Sequence, residues 1–395
     1  MAAWISMDEA CRLLDVKPQT VYAYASRGKL EAMPDPADVR RSLYRADDIA
    51  RLTRRKQTGR NREALAADTL FGAEPSIPTA LSAFFHGRPH YRGRDAVDLS
   101  ASASLEEAAR LLWDADQAMV FASPAPLPST VPPRAARPGR VAAFSGLAGL
   151  AAVGHSTRGR LPRVLLTECQ SLVGRLADAF GAAPGEQPVH LRFARGWKRP
   201  DTVAEQLRRA LVLLADHELT SSAFAARITA STGASLPACL LAGLTALSGP
   251  LHGDASGRVQ ALFGEVERLG AEAVVTHHLA NGLDLAGFGH PIYPDGDPRA
   301  AALLATFEPP EAIARFMEKV AELTGLRPNI DVALAALVAH CRLPADAAFG
   351  LYATARSVGL LAHSLEQLGV GQVIRPRGRY VGPQPDARQD RQGPG

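Results

Sequence analysis

Three side chains that can move protons or donate strong hydrogen bonds stand in settings shaped by glycine, proline and a helix start. His252 lies in Ser248-Gly249-Pro250-Leu251-His252-Gly253, His290 in Gly287-Phe288-Gly289-His290-Pro291-Ile292-Tyr293, and Asp331 in Pro328-Asn329-Ile330-Asp331. A carboxylate with two imidazoles is an acid–base set. Glycines beside His290 let the backbone approach a ligand closely, and a Gly-Pro turn after an apolar helix presents His252 at a fixed place. Each also has an ordinary reading: an acid at a helix N-terminus is a cap, a histidine near a helix end is a cap or a solvated residue, and a lone helical arginine is a surface cation.

A chain of 395 residues exceeds what one hydrophobic core organises, so two or three domains must position these groups. With 47% apolar residues, 6% aromatic and abundant Ala, Leu and Gly, closely packed helices are expected rather than a β-sandwich. The formal charge of +4 and pI near 9.0 suit an anionic partner (a carboxylate, a phosphate or nucleic acid) and equally a composition rich in Arg. Cys11, Cys169, Cys239 and Cys341 stand far apart without metal-ligand spacing, so no metal site is expected, and His277-His278 reads as a partly exposed helical pair. There is no basic segment followed by an apolar run at the N-terminus and no uninterrupted membrane-crossing stretch, so a cytoplasmic, reduced protein without a membrane partner is expected.

Residues 7–14 pattern as a short helix with Ser6 as N-cap, Glu9 at the capping-box position and Ala10, Leu13 and Leu14 on its buried side. A second helix starts at Pro18 and stops at Gly28. A stretch with Pro34, Pro36, Arg40, Arg41, Leu43 and Tyr44 reads as a wing, and residues 47–55 return to helix. This order resembles the winged helix-turn-helix of excisionase and MerR-like DNA-binding domains over residues 3–57. The resemblance implies Lys17, Gln19, Thr20 and Tyr22 toward the major groove, with Arg27, Arg40, Arg41 and Arg45 on phosphates. Asp8, Glu9, Asp35, Asp38, Asp47 and Asp48 dilute that positive field. A small helical domain with a solvated basic face fits the same pattern.

Residues 59–78 are expected to form a linker; within it, 59–63 is polar and aperiodic. Tyr91-Arg92-Gly93 precedes a helix capped by Ser104 and Glu107 and ending in Leu111-Leu112-Trp113. Residues 121–140 are proline-rich and expected to be irregular. Helical periodicity resumes over 164–180 and 202–214, the latter with Thr202 and Glu205 as a capping box, and residues 235–248 are apolar on all sides, as a buried helix would be.

Asp216-His217-Glu218-Leu219, Gly249-Pro250-Leu251-His252-Gly253, Gly287-Phe288-Gly289-His290, Asp297-Pro298-Arg299, Pro328-Asn329-Ile330-Asp331, Arg356-x-x-Gly359-x-x-Ala362-His363 and Arg375-Pro376-Arg377 occur in the order of the citrate synthase family. The resemblance spans residues 79–382. It implies a large helical domain from 79–262 plus 355–382 and a small one at 263–354; with the winged helix-turn-helix at 1–58, the linker at 59–78 and a tail at 383–395 whose Pro, Gln, Arg and Gly read as disordered, the expected fold class is all-α. Gly249-Pro250 and Gly350 are then hinge-adjacent.

The resemblance further implies Asp331 as the base for the methyl group of acetyl-coenzyme A, His252 as donor to the thioester oxygen and His290 as the group polarising the keto carbonyl of oxaloacetate. Its implied dicarboxylate set is His217, Arg299, Arg356 and Arg375, the last reaching across a homodimer, with acetyl-coenzyme A as co-substrate and no permanently bound cofactor. A thioester methyl is a weak acid, so a carboxylate removes its proton only where a preorganised donor stabilises the enolate. The chain departs from the family at Asp254 and Ser256 after His252, at Pro291, Pro294 and Asp295 after His290, and at Thr220, all expected to bear on the coenzyme side. Three readings follow: a citrate synthase, a 2-methylcitrate synthase using propionyl-coenzyme A, or a transcription regulator using the same fold as a metabolite sensor.

Overall fold

The computed structural model describes residues 4–14, 16, 18–26, 30–35, 38–49, 77–123, 138–376 and 382. The chain divides into two compact units, one of which is Pro78–Pro376. The other contains, in order, β1 (Trp4–Ile5), α1 (Met7–Leu14), α2 (Pro18–Ser26), β2 (Ala32–Asp35) and β3 (Asp38–Arg45), with residues 46–49 helical. The Ser6 hydroxyl accepts from Glu9 N at 3.3 Å and starts α1. The expected wing is a three-stranded antiparallel sheet in the order β1-β3-β2. Pro34 sits in β2, an edge strand, where its missing N–H costs no ladder bond. Ala10, Leu14, Val21, Leu30, Tyr44 and Ile49 form this unit's core. Leu13, expected inside, is 52% exposed: Ala10 and Leu14, four apart, already fill the inward stripe. Of the expected helix over 47–55, only the part up to residue 49 is described, and residues 59–76 of the expected 59–78 linker and the 383–395 tail lie outside the described residues.

Pro78–Pro376 opens with a meander of β4 (Ser82–Phe85), β5 (Arg88–Tyr91) and β6 (Arg94–Asp95). Both connections are two-residue turns with positive φ at each position, His86-Gly87 and Arg92-Gly93. Asp95 caps α3 (Ala96–Ser100), and the Ser104–Glu107 capping box starts α4 (Leu105–Leu112). Residues 121–123 have no regular structure and 124–137 lie outside the described residues.

Helices then dominate: α5 (Arg140–Val153), α6 (Pro162–Ala179), α7 (Val189–Gly196), α8 (Asp201–Leu214), α9 (Ser221–Ser231), α10 (Leu236–Leu247), α11 (Ala255–Leu269), α12 (Ala271–Ala280), α13 (Pro298–Leu304), α14 (Glu311–Thr324), α15 (Ile330–His340) and α16 (Ala347–Val370). The Thr202–Glu205 capping box does not form. The helix begins one residue earlier with Pro200 at the cap position, and Glu205 pairs with Arg208 instead. None of the described helices is long and apolar enough to cross a membrane.

Two cores organise this unit. In the larger, α16 is buried from Ala347 through Ser364 and packs against α4, α6, α8, α9 and α10. The smaller gathers Val259, Phe263, Val266, Val275, Ile313, Phe316 and Val320 from α11, α12 and α14. Helix α15 serves both, giving Ile330, Ala333, Leu334 and Leu337 to the first and Val332, Ala335 and Ala336 to the second. That is why its sequence is apolar all round. Asp331, in its first turn, therefore stands at the seam of the two cores.

Candidate active site

His217 follows α8 in a turn where Glu218 takes φ 60°, a left-handed conformation that L-residues rarely adopt. The turn is held from below. Asp216, fully buried, accepts from the Ser82 hydroxyl and faces His363 Nε2 at 3.4 Å. Arg227 Nη1 lies 3.2 Å from His363 Nδ1, and since a guanidinium only donates, Nδ1 accepts and the His363 proton sits on Nε2 toward Asp216. Burial alone would raise the Asp216 carboxyl, yet His363, Arg356 and Ser82 hold it below the usual value. Gly359 lets α16 approach this turn, its N–H reaching Ala215 O at 3.1 Å. A Cβ there would lie 2.5 Å from Ala215 O and overlap the Asp216 carboxylate. Gly359→Ala is expected to destabilise the fold by about 1–3 kcal/mol and displace His217; urea unfolding with a midpoint equal to wild type would contradict it.

His217 itself is 8% exposed. Its Nε2 lies 3.0 Å from the Tyr293 hydroxyl, with Phe84 edge-on at 4.9 Å and the His290 ring at 5.5 Å between centroids. Burial, then the Arg299 and Arg356 charges, depress it well below the ordinary imidazole value, so it is neutral.

His290 is carried by a loop stitched to the segment before α15. Gly289 N donates to Arg327 O, Asn329 N donates to Gly287 O, both at 2.8 Å, and Phe288 bridges Pro328. Gly287 needs to be glycine twice over, having φ 85° and Val259 and Val332 methyls 2.6 Å from where a Cβ would stand. The Ile292 N–H donates to His290 Nδ1 at 3.1 Å. That nitrogen therefore carries no proton, and the ring is neutral with its N–H on Nε2.

His252 Nε2 lies 2.8 Å from the Ser222 hydroxyl, which is 3.0 Å from Thr220 Oγ1. Thr220 is the N-cap of α9, accepting from Ala223 N at 3.4 Å. A relay in which Thr220 donates to Ser222 and Ser222 donates to His252 leaves the imidazole proton on Nδ1. Burial and Arg356 bring the ring down to about 4, so it too is neutral.

The cap of α15 is Asn329, whose Oδ1 accepts from Asp331 N at 2.9 Å. Asp331 is thereby not needed as the cap. Its Oδ1 is shielded from solvent without a hydrogen-bond partner, and burial pushes the carboxyl up to about 7, with Arg299 and Arg356 opposing and Asp297 adding to the rise. Arg299 makes a buried two-point pair with Asp297, Nε to Oδ1 at 3.0 Å and Nη2 to Oδ2 at 2.8 Å. Asp297 also accepts from Arg299 N and Ile330 N, each at 3.0 Å, tying α13 to the start of α15. Arg356, fully buried, donates from Nε to Leu214 O at 3.0 Å, while its Nη1 has no hydrogen-bond partner.

The fold thus gathers His217, His252, His290, Arg299, Arg356 and Asp331 around one place. Three neutral imidazoles, an unspent guanidinium N–H and an unspent carboxylate oxygen together suit an anionic ligand with acceptor oxygens and a weakly acidic proton. Arg375 is exposed in the segment after α16, where Ile374 N donates to Ser231 Oγ at 3.1 Å, and among the described residues no ion pair or hydrogen bond joins it to that cluster. Tyr293, Phe84, Ser222 and Asp297 were not singled out from sequence. Tyr293 and Asp297 lie within the quoted motifs, whereas Phe84 and Ser222 arrive through tertiary contacts.

Asp254, two residues after His252, pairs with Arg140, which also lies 4.0 Å over the Phe349 ring. Pro291, Pro294 and Asp295 are exposed, and Ser256 is buried. In the N-terminal unit, Thr20 is half-buried and Arg41 is exposed beside Asp38 at 3.3 Å. Arg45, expected on phosphate, pairs with Glu31 at 2.9 Å and Asp47 at 3.6 Å, because β3 runs beside those acids. Lys17, Arg27 and the side chains of Gln19, Tyr22 and Arg40 lie outside the described residues.

A family model described as citrate synthase, C-terminal domain, matches residues 154–377, more than half of the chain, and one described as a helix-turn-helix domain matches residues 4–57. A Mycobacterium tuberculosis protein named provisionally as citrate synthase 2 is 34% identical over 260 residues, which is 62% of this chain and 66% of the relative, so the chain spans a little under two thirds of that relative's length. The 2-methylcitrate synthase 2 of Corynebacterium glutamicum is 28% identical over 248 residues, 58% of this chain and 64% of the relative. Among solved structures, the Thermoplasma acidophilum citrate synthase in ternary complex with carboxymethyl coenzyme A and oxaloacetate superposes with a TM-score of 0.64 at 22% identity, over 80% of this chain and 97% of that one. The Thermotoga maritima citrate synthase gives 0.63 at 23% identity, over 79% and 95%. At that level of identity the structures speak for the fold alone, which is mostly helical and citrate synthase-like.

Proposed function

This chain belongs to the citrate synthase family, and from that premise we propose that residues 78–376 condense acetyl-coenzyme A with oxaloacetate to give citrate and coenzyme A. The observation that carries the proposal is the Asp331 carboxylate: one oxygen is shielded and unpartnered, and burial raises the group to about 7 although the Arg299 and Arg356 charges oppose it. Asp331 takes the methyl proton, and the Nδ1–H of His252 stabilises the enolate oxygen. His290 Nε2–H polarises the keto carbonyl that the enolate carbon attacks, and water then cleaves the citryl thioester, releasing the thiol. His217, Arg299 and Arg356 hold the two carboxylates, Arg356 through its unpartnered Nη1 and Arg299 through the N–H groups that Asp297 leaves free, and Arg375 reaches in from the second subunit of a homodimer. A self-association face is supported by α5, which has no charge after Arg140 and exposes Val141 and Val153. The protein is proposed to act in the cytoplasm without a permanently bound cofactor.

The named 2-methylcitrate relative supports propionyl-coenzyme A as the alternative donor. Thiol release followed with oxaloacetate and either thioester distinguishes the two, and release from neither, at any coenzyme concentration, would sink the enzymatic reading.

The helix-turn-helix match and the exposed Arg41 on β3 favour a second reading, in which the N-terminal unit binds DNA and the larger unit serves as its metabolite sensor. Binding to the protein's own promoter region is then expected to weaken with salt, and Arg41→Ala to reduce the log–log salt slope by about 1. Association with no fragment would remove this reading.

A further inference from the structure

Tyr293 touches three members of the site at once. Its ring lies 4.7 Å from the His290 ring, the Arg299 guanidinium lies 5.3 Å from its centre, and its hydroxyl is 3.0 Å from His217 Nε2. Tight turns hold it on both sides, with Tyr293 N donating to His290 O at 3.2 Å and Gly296 N to Tyr293 O at 3.1 Å. The side chain is 3% exposed.

A hydrogen bond between a phenol and a neutral imidazole can run either way, and the surroundings decide which. Among the described residues, the Tyr293 hydroxyl has His217 as its one hydrogen-bond partner. Were Nε2–H the donor, the phenol proton would be buried without an acceptor, a costly arrangement. With the phenol donating, both groups are satisfied and the imidazole proton moves to Nδ1. Burial raises the phenol far above its ordinary value, so it keeps its proton to give, and burial with two nearby guanidiniums keeps His217 neutral to accept it.

We propose that Tyr293 is a positioning residue for substrate binding: by donating to His217 Nε2 it fixes the tautomer with the proton on Nδ1 and makes His217 an obligate donor to a ligand carboxylate oxygen. Its part in substrate binding rests on the citrate synthase reading. The tautomer does not, since it is set without ligand. His290 reaches the same neutral, single-donor state through the Ile292 N–H, so two of the imidazoles that face the ligand have a proton assigned by an obligate donor.

The experiment is nitrogen-15 NMR of the full chain labelled at histidine, with the His217 signals assigned through His217→Gln. In the unliganded wild type, Nδ1 should be the protonated nitrogen of His217 and Nε2 the bare one; the reverse overturns the proposal whether or not any variant folds. Tyr293→Phe, which keeps the ring contacts, should move this signature toward the other tautomer. It should also weaken oxaloacetate binding about 10-fold by calorimetry, with the KM for acetyl-coenzyme A unchanged. An unmoved signature with unchanged oxaloacetate affinity, or an equal loss toward both substrates, overturns the proposal. Wild-type protein that binds no dicarboxylate defeats the citrate synthase reading and the substrate-binding part of the Tyr293 proposal, while the tautomer result still stands or falls on the spectrum.

Discussion

Asp331→Asn is expected to lower thiol release from acetyl-coenzyme A and oxaloacetate by about 10²–10⁴-fold, the range over which a positioned general base contributes. Asparagine keeps the shape and the Asn329 cap of α15 but has no basic oxygen, so folding and oxaloacetate affinity should persist while turnover fails. The carboxyl is raised to about 7, so wild-type kcat should climb as pH passes through 7, where the base ionises. Stability has the opposite sign. Between the ordinary carboxylate value and about 7, the folded protein holds a proton that the unfolded chain has lost, so this group's contribution falls as pH rises across that window. Removing the buried charge should therefore make Asp331→Asn more stable than wild type at pH 8, by about 2–4 kcal/mol. Full turnover in the variant, or a kcat flat from pH 6 to 8, would refute the assignment of Asp331 as base.

Much of this was legible in the sequence because the groups concerned are announced by local chemistry. Ser104 with Glu107 predicts its own capping box, and the paired glycines around His290 foretell a close backbone approach. The helix-turn-helix pattern names its two helices and its wing. Local pattern failed where a distant partner decides. Thr202 and Glu205 have capping-box spacing, but Pro200 starts the helix and Arg208, which also reaches Ala101 O and Ala103 O, takes Glu205. Asp254 lies two residues from His252 in sequence, yet Arg140 on another helix claims it. Arg356 reads as a surface cation until α16 proves buried on every side. No spacing rule brings Phe84 or Ser222 to the site, since both contacts depend on how elements far apart in the chain pack.

Asp297→Ala is expected to be the most destabilising single change at the site. Asp297 is 3% exposed and Arg299 2%, so their pair is removed from water, and one carboxylate serves four N–H donors: Arg299 N, Nε and Nη2, and Ile330 N. Alanine would strand a buried guanidinium, leave α13 without its cap and leave the start of α15 without an acceptor. Breaking one side of such a pair costs about 3–5 kcal/mol, and urea unfolding followed by helical circular dichroism should register a loss in that range. Asp297→Asn, which can still accept at one oxygen, should lose less. A chemical consequence separates this from general damage. Asp297 is a negative charge that raises Asp331, so in Asp297→Asn the base should ionise at lower pH and the acid limb of the kcat profile should shift downward. If the variant unfolds within about 1 kcal/mol of wild type, the Asp297–Arg299 pair does not hold α13 and α15 together. If instead stability falls but the pH profile stays where it was, Asp297 acts on the scaffold without tuning the base.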